Sequence, residues 1–214
     1  GVDWMDGLNR YPADRSDELR EKLAQKLAKN PDEILLGNGS SELIELCMKA
    51  YLEAGDTVLS IAPTFSMYKI FTIIHKGRYL EYPLQDMTSL DVDGFIEFAG
   101  ACSAKLVLLS NPNNPTGSMI PREDIRRIID SVDAMVVLDE AYIEFSDEPA
   151  TDDTGIYENL VVLRTFSKAL ALAGIRLGYM MGQAETIGYI NRVRSPYNVN
   201  VLTQAAGLRA LKAE

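Results

Sequence analysis

Three stretches of this chain, "KLVLLS" (105–110), "AMVVLDE" (134–140) and "NLVVLRT" (159–165), are apolar at almost every position, and this limits the folds open to it. A strand covered on one side alternates apolar and polar residues, whereas one covered on both sides has no face to leave polar. Such runs belong to parallel sheets between two layers of helices, and helix-period segments do separate them. "DELREKLAQKLAKN" (17–30) spaces Leu19, Leu23 and Leu27 by four and predicts an amphipathic helix ending at Asn30-Pro31. "EILLG" (33–37) reads as a short strand, and "TVLSI" (57–61) as another. Between them "SSELIELCMKAYLEAG" (40–55) predicts a helix capped by Ser40 or Ser41 and stopped by Gly55. "PREDIRRIIDSV" (121–132) is a further helix. The expected fold is α/β, a mostly parallel sheet with helices on both faces, spanning residues 1–214 as one domain. Ligands in such sheets sit beyond the carboxyl ends of the strands.

Composition removes several classes of function. The 21 basic residues against 31 acidic ones give a net charge of −10, which disfavours nucleic acid and anionic membranes as partners. Two cysteines, Cys47 and Cys102, and the lone His75 make no metal-spaced cluster. No apolar run approaches bilayer length and no signal sequence opens the chain, so a soluble protein in a reducing, cytoplasmic setting is expected. The start at Gly1 and the uncapped helical pattern "LTQAAGLRALKAE" at the other end predict a fragment of a longer protein.

Four polar motifs fall at the strand ends. "LLGNGSSELI" (35–44) runs from strand through a glycine turn into a helix whose first amides and hydroxyls, at Ser40 and Ser41, suit a phosphate. Glu42 stands where a dinucleotide fingerprint needs its third glycine, and an ordinary helix cap is the plainer alternative. "LSNPNNPTGSMI" (109–120) is a stiff loop able to hold one amide, such as that of Asn114, against a ligand. In "VVLDEAYIEF" (136–145), Asp139 closes an apolar strand, where an ionised carboxylate needs a partner, and Tyr142 follows three residues later. In "RTFSKALALAGIRLGY" (164–179), Thr165 and Ser167 flank Lys168, and Arg176 comes eight residues after it. Hydroxyls with a guanidinium are phosphate-binding chemistry, and an amine at the mouth of a buried strand is a nucleophile if it sheds its proton. Amine, carboxylate, phenol, amide and phosphate cradle together are what pyridoxal 5'-phosphate requires.

"NPNNPTG", "DEAYIEF" and "RTFSKALALAGIRLGY", in this order, resemble the fold-type I pyridoxal-phosphate-dependent aminotransferases. "LNRYP" (8–12), "PTFSMY" (63–68) and "SPYNVN" (195–200) are similar to segments of the histidinol-phosphate aminotransferases within them. That resemblance implies the large domain of such an enzyme, without its N-terminal segment and C-terminal small domain. Lys168 would then be the Schiff-base lysine and would move the proton at the substrate α-carbon. Asp139 would hold the cofactor's pyridinium nitrogen, and Asn114 and Tyr142 its ring oxygen. Ser40, Ser41, Thr165, Ser167 and Arg176 would bind the phosphate, and Tyr68 would stack on the ring. Tyr11, in an arm with nothing in its own domain that obviously fixes it, would reach the phosphate of a neighbouring subunit, so the resemblance also implies a homodimer. The implied reaction exchanges an amino group between histidinol phosphate and 2-oxoglutarate in histidine biosynthesis. A threonine-phosphate decarboxylase, a broad or aromatic aminotransferase, and a non-catalytic cofactor-binding dimerisation fragment remain as alternatives.

Overall fold

The computed structural model describes residues 8–213, so the Gly1 start and Glu214 lie outside the described residues. Seven strands form one sheet: β1 (Ile34–Gly37), β2 (Thr57–Ala62), β3 (Arg78–Pro83), β4 (Ala104–Ser110), β5 (Met135–Asp139), β6 (Leu160–Thr165) and β7 (Gly178–Met181). Their order is β1-β7-β6-β5-β4-β2-β3, and only β7 runs against the rest. Because β4, β5 and β6 lie at the centre, their alternate side chains enter two separate cores. Val107, Leu109, Val136, Leu138 and Val162 face one layer, built from α1 (Asp17–Leu27), α4 (Val92–Ala101), α5 (Arg122–Ser131) and α7 (Val201–Ala213). Leu106, Leu108, Val137, Val161 and Leu163 face the other, built from α2 (Ser40–Tyr51), α3 (Met67–Ile74) and α6 (Ala184–Asn191). Each such side chain contributes about 1.5–3 kcal/mol by leaving water, so the apolar runs fix the sheet's centre. Among the described residues no helix is long and apolar enough to cross a membrane.

Helix boundaries differ from expectation in three places. α1 stops at Leu27 with Ala28 left-handed, short of Asn30-Pro31. α2 begins at Ser40, but its N-cap is Gly39 (φ 81°), so Ser40 and Ser41 are first-turn residues and neither caps it. Its other end is Tyr51, and Gly55 (φ 96°) shapes the following turn instead. Two strands gave no apolar run in the sequence. β3 is an edge strand with exposed positions, and β7 is four residues long. β7 matters because its direction places Arg176, just before it, at the same sheet edge where the parallel strands end.

Candidate active site

Across that edge Gly37 of β1, Gly178 of β7 and Thr165 of β6 lie in one row. The β1–α2 turn folds so tightly over it that a Cβ on Gly178 would come within 2.5 Å of the Ser40 amide nitrogen. Gly39 holds a backbone conformation that favours glycine, and a Cβ there would meet Arg176 Nη2 at 2.6 Å. The glycines of "GNGS" and "RLGY" thus leave room for a cradle of amides, hydroxyls and one guanidinium. Glu42 anchors it by accepting from the Asn38 amide at 2.5 Å and from Asn198 Nδ2 at 2.8 Å. Asn198, in "SPYNVN", also donates to the Leu36 carbonyl at 3.1 Å. Glu42 therefore does structural work where a dinucleotide-binding turn has glycine.

The cradle opens into a cavity of about 120 Å³ lined by Ser40, Ser41, Asn114, Asp139, Tyr142, Thr165, Ser167, Lys168 and Arg176, all expected from the sequence. Phe65, Ser110 and Ala141 complete the wall and were not expected. Ser110 ends its apolar run as Asp139 ends its own, which is the signal that could have found it. The asparagines of "NPNNPTG" divide their labour. Asn111 donates to the Ile120 carbonyl at 3.0 Å and accepts from the Ile120 amide at 2.8 Å, closing the loop. Asn113 donates to the Pro63 carbonyl and accepts from Thr64 Oγ1, each at 2.9 Å, tying the loop to the segment before α3. Asn114 is left to face the cavity.

Asp139 is 5% exposed at the end of β5. Tyr68 donates its phenolic proton to Oδ2 at 3.0 Å and the Ala141 amide donates to Oδ1 at 3.1 Å. Burial pushes the Asp139 carboxyl up to about 6, against the pull of those two hydrogen bonds and of the Lys168 charge. The adjacent Glu140 is also buried, and burial raises its carboxyl despite the Arg164 guanidinium bonded to it at 2.8 Å. That pair joins the ends of β5 and β6 and so sets Asp139 relative to Thr165.

Three expectations change. Tyr68 does not face the cavity: it is 1% exposed and sits behind Asp139, because the first turn of α3 carries it under the sheet edge while Phe65 takes the cavity wall. Lys168 is exposed rather than drawn out of water, with its Nζ 5.1 Å from the centre of the Tyr142 ring. Tyr11 is 81% exposed and does not line the cavity, yet its arm is held by its own chain. Its ring stacks on Tyr197 at 4.7 Å, and nearby Asp14 accepts from the Tyr197 amide and from Arg194, both at 3.2 Å.

A carboxylate backed by neutral donors, an amine, an amide with a phenol, and an anion cradle therefore converge beyond the strand ends. The chain belongs to the class I and II aminotransferase family, which matches residues 4–214. Over 206 residues it is 43% identical to the histidinol-phosphate aminotransferase of Caldanaerobacter subterraneus subsp. tengcongensis, covering 96% of this chain and 59% of that protein. The histidinol-phosphate aminotransferase of Thermoanaerobacter sp. is 42% identical over 207 residues, covering 97% and 59%. The crystal structure of histidinol-phosphate aminotransferase from Sinorhizobium meliloti in complex with pyridoxal-5'-phosphate superposes with a TM-score of 0.90 at 29% identity, covering 96% of this chain and 57% of that one. This chain thus spans under two thirds of the length of these relatives.

Proposed function

We propose that residues 1–214 are the cofactor-binding large domain of a cytoplasmic histidinol-phosphate aminotransferase that uses pyridoxal 5'-phosphate, histidinol phosphate as amino donor and 2-oxoglutarate as acceptor. One observation carries the reading: the cavity gathers Asp139, Lys168 and Arg176, and among the described residues none of them forms an ion pair. Charges of both signs left unmatched in one cavity suit a dipolar ligand, cationic at one end and doubly anionic at the other. The space that Gly39 and Gly178 keep clear at the anionic end fits a phosphate. Identity of 42–43% to two histidinol-phosphate aminotransferases supports that donor above others of the family.

When bound, the cofactor supplies an aldehyde and an electron-accepting ring. Ser40, Ser41, Thr165, Ser167 and Arg176 would hold its phosphate and so orient the ring before any substrate arrives. Asp139 would hold the ring nitrogen as a cation, and Asn114 and Tyr142 would hydrogen-bond the ring oxygen. Phe65, which lines the cavity where Tyr68 does not, would cover the ring face. Lys168, in the cavity wall, would supply the amine that holds the aldehyde and would serve as the base that moves the proton at the substrate α-carbon. Tyr11 would serve the phosphate of a second copy in a homodimer; its exposure outside its own cavity and its stacking on Tyr197 support that reading.

Purified protein should bind pyridoxal 5'-phosphate with a yellow colour, and borohydride followed by peptide mapping should leave the label on the peptide bearing Lys168. A label on another lysine, or none, would overturn the reading. Bleaching of the colour by histidinol phosphate more readily than by aromatic amino acids or threonine phosphate would support the donor.

A further inference from the structure

Tyr68 was expected on the cofactor's face and is found behind its carboxylate, which opens a different role for it. Its ring is 1% exposed and meets Phe65 edge-on at 5.6 Å. Its amide donates to the Phe65 carbonyl at 3.1 Å, and its carbonyl accepts from Thr72 Oγ1 at 2.7 Å. One helical turn thus sends Phe65 into the cavity and a phenol beneath Asp139, with little freedom to exchange the two. Asp139 Oδ2 takes the phenol and Oδ1 takes the Ala141 amide, so each oxygen receives one neutral donor.

We propose that Tyr68 is a positioning residue for Asp139: its phenol fixes the plane of the carboxylate and keeps it an anion directed at the cavity. A carboxylate this buried tends to take up a proton, and a protonated acid cannot sustain a cationic ring nitrogen. A cationic neighbour would keep it charged but would also satisfy it. A neutral donor stabilises the anion while leaving its charge available to the ligand. The other titratable groups around the pair are Lys168, Tyr142 and Arg176 in the cavity and Tyr79 on the Tyr68 side. Burial, together with Asp139, holds the Tyr68 phenol well above its usual range, so it remains a donor across the working pH.

The consequence for the cofactor rests on the function proposed above, but the titration of Asp139 does not. The test follows the Asp139 carboxyl in apoprotein labelled with 13C-aspartate, assigned by Asp139→Asn. Tyr68→Phe should move its midpoint up by about one pH unit. With pyridoxal 5'-phosphate added, the alkaline half of the binding profile should stay in place while the acid half moves with that midpoint. A purely structural Tyr68 would lower the melting temperature evenly with pH and leave the midpoint where it was, and that result would overturn the proposal. If Tyr68→Phe does not fold, the parent protein still decides: the Asp139 signal should shift between H2O and D2O as for an O–H donor, and no shift would overturn it. A moved midpoint without cofactor binding would sink the cofactor reading and leave the Tyr68–Asp139 pair standing.

Discussion

Two aspartates, Asp139 and Asp153, are buried to 5% and 0% exposure, and their surroundings are opposite. Asp153, at the start of the short 3-10 helix Asp153–Gly155 between β5 and β6, accepts two hydrogen bonds at 2.9 Å from Arg122 and two more, at 3.1 and 2.7 Å, from Arg126, both on α5. Burial alone would raise its carboxyl, but those two guanidiniums prevail and hold it below the usual range. Asp139 has a phenol and an amide in their place, and burial wins. The charge on Asp153 is answered within the fold, while that on Asp139 is not. A fold retains an unanswered buried charge at a cost, which is why such acids cluster at sites that take a ligand.

If the contrast holds, replacing each acid by its amide should have opposite consequences. On the function proposed above, Asp139→Asn should lower the rate of α-proton abstraction by a hundredfold or more, about 3 kcal/mol, because an amide would not sustain a ring cation. The same change should stabilise the apoprotein at pH 7, as urea unfolding would show. Loss of stability instead would make Asp139 a second structural acid. The pH dependence separates the two residues further. The folded state binds the Asp139 proton more tightly than the unfolded chain does. Its contribution therefore falls as pH rises from about 4 to 6, by about 3 kcal/mol at most. Asp153 has the lowered value, so its contribution is present above about pH 4 and is lost on acidification below it. Urea midpoints across pH should show both limbs, with Asp139→Asn removing the one between pH 4 and 6. Asp153→Asn should cost about 2 kcal/mol of stability, since its arginines are partly exposed and can turn to water, and cofactor affinity should not change. Weakened affinity would extend the site to α5.

The sequence showed one of these acids and not the other, for a physical reason. Asp139 ends a run of apolar residues, so its burial is visible in one dimension. Asp153 sits in a polar stretch, "TDDTG", and is buried only because α5 brings two arginines over it. The same limit applies elsewhere. The central strands and most cavity residues were legible because apolar runs and the motifs at their ends are local. β7 was not, because four residues between β6 and β1 carry no periodicity. Tyr68 and Phe65 lie in the same quoted segment, and which of the two faces the ligand depends on how the first turn of α3 is set against β5. Spacing alone does not contain that angle.

The smallest effect tests the positive end of the cavity, where Arg176 is the counterpart of the two arginines on Asp153. Arg122 and Arg126 are committed to a carboxylate, whereas among the described residues Arg176 Nη1 meets only Ser167 Oγ at 3.4 Å and the Ala173 carbonyl at 3.2 Å. Arg176 can therefore remain beside the β1–α2 turn only while that turn leaves it space. Gly39→Ala removes that space by placing a methyl 2.6 Å from Nη2, in a backbone conformation that side chains rarely adopt. The guanidinium is the end of a flexible side chain and can swing aside, so the clash itself costs little. The φ of 81° costs about 1–3 kcal/mol of stability. The informative quantity is anion affinity. With Arg176 displaced, one charge-assisted contact to a phosphate weakens, and pyridoxal 5'-phosphate should bind roughly tenfold less tightly. Pyridoxal, which lacks the phosphate, should bind as it does to the parent protein. If both ligands weaken together, the turn has deformed the whole cavity. If neither does, Arg176 is a surface residue and the unmatched positive charge of the site lies on Lys168 alone.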